Sequence, residues 1–207
     1  MIGDPIIISQ NDYEKSEQVI SALNDKNIIL IGGGSGTKKS ELAYGIQTGL
    51  LRKHKSSFVV SLDDYYVVHA TIRDINRKKL GIDSVGIAEL DWQSLNRIYE
   101  DFQNKCHIHF KRTHRFLDAI EHNTIDTSEI DYLIIEGLYS NYFKKEYIDN
   151  ISVFLEGTPQ QTLSFRKIRK KEDEEDTFRK KVVRREFNIC SQLKKYSDII
   201  LKYEYRN

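Results

Sequence analysis

Ile31-Gly32-Gly33-Gly34-Ser35-Gly36-Thr37-Lys38-Lys39-Ser40 continues the apolar run Ile28-Ile29-Leu30-Ile31 and leads into a stretch of helical character from Ser40 to Leu51. A glycine-rich turn between a strand and a helix lets backbone N–H groups converge on an anion, and the positive end of the helix dipole adds to the attraction. Glycine suits such a turn because a Cβ would block both the strained backbone and the close approach of phosphate. A lysine after the glycines reaches the outer phosphates, and a hydroxyl residue directly behind it ligates magnesium. Starting the motif at Gly33 makes Gly33, Gly34, Ser35, Gly36, Thr37, Lys38, Lys39 and Ser40 the phosphate-binding stretch, with Lys39 and Ser40 in those two roles. Lys38 then stands where the last glycine is expected. Starting at Gly32 makes Lys38 the phosphate lysine, but leaves Thr37 at a glycine position and Lys39 where the hydroxyl should be. One mismatch against two favours the first register. A Cβ at a backbone position of positive φ costs about 1–2 kcal/mol, tolerable if bound phosphate fixes the loop. A flexible turn, or a loop that binds nucleotide weakly, is the competing reading.

Working outward, Phe58-Val59-Val60, Leu133-Ile134-Ile135, Val153-Phe154-Leu155 and Ile199-Ile200-Leu201 repeat the short apolar pattern of Ile28–Ile31. Such runs suit strands covered on both faces. Stretches of helical character lie between them: Trp92 to Phe102, Pro159 to Arg169 and Thr177 to Tyr196, with Thr158-Pro159 as an N-cap and first-turn proline. Strands alternating with helices predict a three-layer α/β fold with a mainly parallel sheet. Tyr65 to Gly86 fits neither period and is expected to cover one edge. Cys106 to Glu121 reads as a pair of short strands, and the charge run Lys170 to Asp176 as a mobile, exposed connection. At 207 residues, a single compact domain with a small lid is expected.

In a parallel α/β sheet the carboxyl ends of strands line the ligand crevice. Ser61-Leu62-Asp63-Asp64-Tyr65-Tyr66 closes the second apolar run and Glu136 the third, so their carboxylates are expected at the phosphate loop. Glu136 could hold a magnesium shell from opposite Ser40. Arg166 and Arg169 lie three apart at a helix end, where arginines can neutralise a transferring phosphoryl group.

From Asn27 to Leu201 the chain resembles the uridine kinase/phosphoribulokinase family of P-loop kinases. The resemblance is carried by the glycine loop, Ser61-Leu62-Asp63-Asp64-Tyr65-Tyr66, Ile134-Ile135-Glu136-Gly137, Leu163-Ser164-Phe165-Arg166-Lys167-Ile168-Arg169, and Lys194-Lys195-Tyr196-Ser197-Asp198-Ile199-Ile200. It implies a three-layer P-loop kinase fold with a lid over about residues 166–180. It also implies Mg²⁺-dependent transfer of the γ-phosphate of ATP or GTP to the hydroxyl of a nucleoside-like acceptor. Asp63 is then the base, Tyr66 belongs to the acceptor pocket, Glu136 to the metal site with Ser40, and Arg166 and Arg169 to the lid. Where the family's ribose-gripping carboxylate belongs, this chain reads Gly86-Ile87-Ala88-Glu89-Leu90-Asp91-Trp92. Asp91 aligns, and Glu89 is a shifted candidate. The family's base-holding strand is replaced by Ile108-His109-Phe110-Lys111, with His114 and Arg115 as pocket candidates or surface residues. A different hydroxyl metabolite as acceptor, or a nucleotide sensor without turnover, are the alternatives.

A formal net charge of +1 supplies no global field for nucleic acid or an anionic membrane. Arg179, Lys180, Lys181, Arg184 and Arg185 form the one basic cluster that could reach nucleic acid, and read better as a solvated helix face broken by inward Val182 and Val183. Two cysteines, Cys106 and Cys190, make no disulfide framework and are expected as free thiols, one or both in the core. Met1 to Pro5 lacks the pattern of a signal peptide, and no apolar run approaches the about 20 residues of a membrane span. The expected partners are a nucleoside triphosphate and a small hydroxyl metabolite, with no nucleic acid or membrane, in a cytoplasmic protein for which a homo-oligomer is left open.

Overall fold

The five apolar runs are the strands of one parallel sheet. The computed structural model describes residue 2 and residues 5–114, 116–169 and 175–203. In chain order the elements are α1 (Gln10–Ser21), β1 (Ile28–Gly33), α2 (Lys39–Arg52), β2 (Ser57–Ser61), α3 (Ala70–Leu80), α4 (Trp92–Gln103), β3 (Ile108–Thr113), β4 (Ile120–Ile125), β5 (Tyr132–Glu136), β6 (Ile151–Glu156), α5 (Leu163–Arg169), α6 (Thr177–Leu193) and β7 (Ile199–Lys202), with short 3₁₀ turns between them. The sheet order is β2-β5-β1-β6-β7, and β3 and β4 form a separate antiparallel hairpin.

Alternation along the central strands divides the core in two. Ile28, Leu30, Leu133 and Ile135 pack with Leu95, Ile98, Tyr99 and Phe102 of α4 and with Cys190 and Leu193 of α6. Ile29, Ile31 and Ile134 pack on the other side with Val19 and Ile20 of α1, with Leu23 just beyond it, and with Leu42, Ile46 and Leu50 of α2. Helices on both faces of a parallel sheet make the three-layer α/β fold expected from the sequence.

Three expectations need correction. Tyr65 to Gly86 contains a full helix, α3, whose N-cap His69 accepts from the backbone N–H of Thr71 at 3.3 Å. Its periodicity is hard to read because its cleft side is built of arginines rather than apolar residues. Second, the helical stretch from Pro159 begins as turns and becomes α-helix only at Leu163. The cap itself is real: the Thr158 hydroxyl accepts from Gln161 N–H at 3.2 Å, and Gln161 Oε1 accepts from Thr158 N–H at 2.9 Å. Third, the helix from Thr177 ends at Leu193, followed by a 3₁₀ turn over Lys194–Tyr196. Residues 170–174 of the charge run, within the expected lid, lie outside the described residues. Cys106 is exposed and Cys190 buried, both free. Among the described residues no helix is long and apolar enough to cross a membrane.

Candidate functional site

β1 runs down the middle of the sheet and delivers the chain into the glycine loop. Gly36 has φ +79°, and a Cβ there would stand 2.8 Å from Cγ of Arg166. Gly34 lies against the ring of Phe187, where a Cβ would come within 2.2 Å of the ring edge. Thr37 closes the turn by donating to the carbonyl of Gly34 at 2.9 Å, and Lys39 Nζ donates to the same carbonyl at 2.8 Å.

Lys38 has φ +68° and ψ 30°, the left-handed conformation that the missing glycine would have taken easily. Its side chain supplies the compensation. Nζ lies 2.8 and 3.1 Å from the carboxylate oxygens of Asp12, a fully buried acid on α1. The ammonium also stands over the rings of Phe165 and Tyr203, 5.3 and 5.6 Å from their centroids. Asp12 in turn accepts from the backbone N–H of Ser9 at 2.7 Å, capping its own helix. A left-handed residue costs about 1–2 kcal/mol, whereas stripping a buried carboxylate of its partner costs about 3–5 kcal/mol. Lys38→Gly is therefore expected to lower stability by about 2 kcal/mol, the difference of those two effects. The double variant Lys38→Gly/Asp12→Asn should recover most of the loss in urea unfolding. A more stable single variant would show that Lys38 is merely tolerated.

Strand register brings the acids to the loop. Glu136 ends β5 between its neighbours, level with Ile31 of β1 on one side and Ser61 of β2 on the other. Ser61 Oγ donates to it at 2.6 Å. Burial, reinforced by nearby Asp63, holds the Glu136 carboxyl above the ordinary carboxylate range. Burial likewise lowers the Lys39 ammonium, against the pull of Glu136 and Asp63. Because folding raises the proton affinity of Glu136, its contribution to stability is present at low pH and lost as pH rises from the ordinary carboxylate value through the raised one. Glu136→Gln cannot ionise. In thermal melts of the nucleotide-free protein from pH 5 to 8 it should lose less stability with rising pH than the parent does, and parallel curves would refute this.

Lys39, Ser40, Asp63, Glu136, Arg166 and Arg169 all line one cleft of about 380 Å³. Tyr66 lines it too, almost wholly buried, with its phenol pushed well above its usual range by burial. Arg166 is buried and donates to the Pro159 carbonyl at 3.1 Å and to the Thr162 hydroxyl at 2.5 Å. Arg169 reaches Glu41, a fully buried acid in the first turn of α2, at 3.2 Å. A hydroxyl from Ser40 and a carboxylate from Glu136 beside a phosphate-shaped loop fit magnesium, which is held by few protein groups and completed by phosphate oxygens and water. Among the described residues no cluster of three or more His, Cys, Asp or Glu forms a closed metal cage.

Two acceptor candidates are turned elsewhere. Glu89 accepts from Arg77 Nε at 2.7 Å and Nη2 at 2.9 Å, and from Gly86 N–H at 3.0 Å. Asp91 caps α4, accepting from the Ser94 backbone at 3.1 Å and its hydroxyl at 2.7 Å. Neither is among the cleft-lining residues. His114 pairs with Glu121 at 2.8 Å, and Arg115 lies outside the described residues. Sequence reasoning passed over Arg73, Asp74 and Arg77 of α3 and Glu186 of α6, and assigned Arg179 to a solvated helix face; all five line the cleft. Arg179 is buried rather than on a solvated helix face, although Val182 and Val183 do point inward. A signal existed: Arg73 and Arg77 are four apart, and Arg179 and Glu186 seven apart, spacings that keep each pair on one helix face.

A glycine loop with its lysine and hydroxyl, acids at two strand ends and arginines from α5, on a parallel sheet with helices on both faces, define the architecture of a P-loop kinase. No family model matches the chain. It is 27% identical over 146 residues to a uridine kinase of Ureaplasma parvum serovar 3, covering 68% of this chain and 67% of that one. It is 28% identical over 144 residues to a uridine kinase of Ureaplasma urealyticum serovar 10, with the same coverage. Its fold is shared with a possible uridine kinase from Bacillus stearothermophilus (TM-score 0.61, 14% identity, 93% of this chain and 98% of that one). It is also shared with phosphoribulokinase from Rhodobacter spheroides (TM-score 0.63, 11% identity, 86% and 70%). The chain is thus similar in sequence to curated uridine kinases and in fold to structures of the uridine kinase/phosphoribulokinase group.

Proposed function

We propose that the protein is a kinase that transfers the γ-phosphate of ATP or GTP to a hydroxyl of a small metabolite. The observation that carries this reading is the meeting of Lys39, Ser40, Asp63, Glu136, Arg166 and Arg169 in a single cleft. Lys39 and the loop amides hold the phosphates. Asp63 stands at the acceptor side as the group that takes the hydroxyl proton, and Tyr66 walls the acceptor. Arg166 and Arg169 meet the charge on the transferring phosphoryl group. Ser40 and Glu136 would hold Mg²⁺, which when bound neutralises charge on the β- and γ-phosphate oxygens. Such transfers are accelerated by positioning and charge stabilisation rather than by covalent chemistry on the protein, and this residue set supplies both.

The names of the curated relatives make uridine the first acceptor to try. The experiment is ADP release from MgATP and from MgGTP across a panel of hydroxyl compounds that begins with uridine and cytidine. Acceptor-dependent release supports the reading. Tight MgATP binding with no release on any acceptor would leave a nucleotide sensor instead.

A further inference from the structure

We propose that the acceptor carries an anionic group, a carboxylate or a phosphate, beside the hydroxyl that is phosphorylated, and that Arg73 recognises it. The proposal rests on the kinase reading above and narrows its substrate class. The guanidinium of Arg73 lies over the ring of Tyr66, 3.6 Å from the centroid, and its Nε donates to the carbonyl of Val68 at 3.2 Å. Tyr66 is 8% exposed, so the guanidinium rests on a fixed surface. Among the described residues no carboxylate pairs with Arg73, and its two terminal nitrogens have no hydrogen-bond partner. A planar fork held against a ring, with its terminal nitrogens unengaged by the described residues, is pre-organised for a two-oxygen anion.

The neighbouring charges are disposed differently. Arg77, one helical turn further along α3, is committed to Glu89 at 2.7 Å and Glu186 at 3.3 Å, with Asp74 at 3.9 Å. Glu186 also lies 4.0 Å from Arg179. Asp74, Glu89 and Glu186 therefore each face an arginine already, whereas among the described residues no carboxylate faces Arg73. Asp63 lines the same cleft, so an acceptor anchored at Arg73 by its charged end can present a hydroxyl to the base. The two carboxylates that a neutral ribose-like acceptor would want, Glu89 and Asp91, are engaged away from the cleft.

The test is isothermal calorimetry on the full chain with saturating MgADP, which fills the phosphate loop so that an added anion cannot occupy it. Two matched pairs serve as probes: glycerol against glycerate, and ribose against ribose 5-phosphate. At least one charged probe should bind about tenfold or more tighter than its neutral twin, and the pair showing the gain tells carboxylate from phosphate. Arg73→Gln should abolish the gain and Arg73→Lys restore part of it, with MgADP affinity unchanged in both. No gain for either charged probe, a gain that survives Arg73→Gln, or an effect of Arg73→Gln on MgADP alone would overturn the proposal while leaving the kinase reading standing. Absence of MgADP binding would instead remove the kinase reading, and the same titrations without nucleotide would then decide whether Arg73 holds an anion.

Discussion

Asp63→Asn is expected to lower acceptor-dependent turnover by about 10²–10⁴-fold, the usual worth of a general base, with MgATP affinity essentially unchanged. Asp63 sits in the 3₁₀ turn Leu62–Tyr65 immediately beyond β2, half-buried in the cleft wall. Asparagine keeps its size and can still orient a hydroxyl, but it cannot take the proton. In the proposed reading the loop and Lys39, not Asp63, hold the nucleotide, so binding and turnover should separate. Removing the Asp63 charge also relieves Glu136, whose carboxyl Asp63 helps to hold above its ordinary range. Steady-state ADP release together with calorimetric MgATP titration checks both halves. Full turnover in Asp63→Asn would end its assignment as the base.

Lys39→Met is expected to weaken triphosphate binding by about 10- to 150-fold, corresponding to the about 1.5–3 kcal/mol of a hydrogen bond to a charged group. In the nucleotide-free protein the ammonium is parked on the Gly34 carbonyl at 2.8 Å. Burial has lowered its proton affinity despite the pull of Glu136 and Asp63, so the fold carries a residual cost that a bound anion returns. Methionine fills the same space without that cost. The variant should melt no lower than the parent without nucleotide, and gain less on adding MgATP. Equal stabilisation by MgATP in both would move the phosphate-binding role to another cation, with Lys38 in the alternative register the first to consider. Its engagement with Asp12 argues against that.

The sheet was readable because its central strands β1, β5 and β6 are buried on both faces and must be apolar at consecutive positions, as in Ile28–Ile31 and Leu133–Ile135. Residues carried on the ends of those strands, Asp63 and Glu136, could be placed with them. α3 could not be seen in the same way. Most of its residues are exposed, and Arg77, its one fully buried side chain, is satisfied by Glu89 and Glu186, which are distant in sequence. Glu89 and Asp91 show the converse failure. Their side chains could as well cap and bridge as bind, and only the fold discloses that Ser94 and Arg77 had already taken them. α1 went unnoticed for a related reason: half of what it buries is polar, Asp12 and Ser16 beside Val19 and Ile20.

That last helix limits how far the nucleotide cradle can be considered a portable motif. The decapeptide from residue 31 to 40 contains the loop amides, the lysine and the hydroxyl of the expected cradle, yet the acid that makes a lysine bearable at its sixth place from Gly33 is written 26 positions upstream. Transplanted alone into another scaffold, those ten residues would arrive without their counterweight, and a helix outside the ligand's reach would prove to have been part of the binding loop.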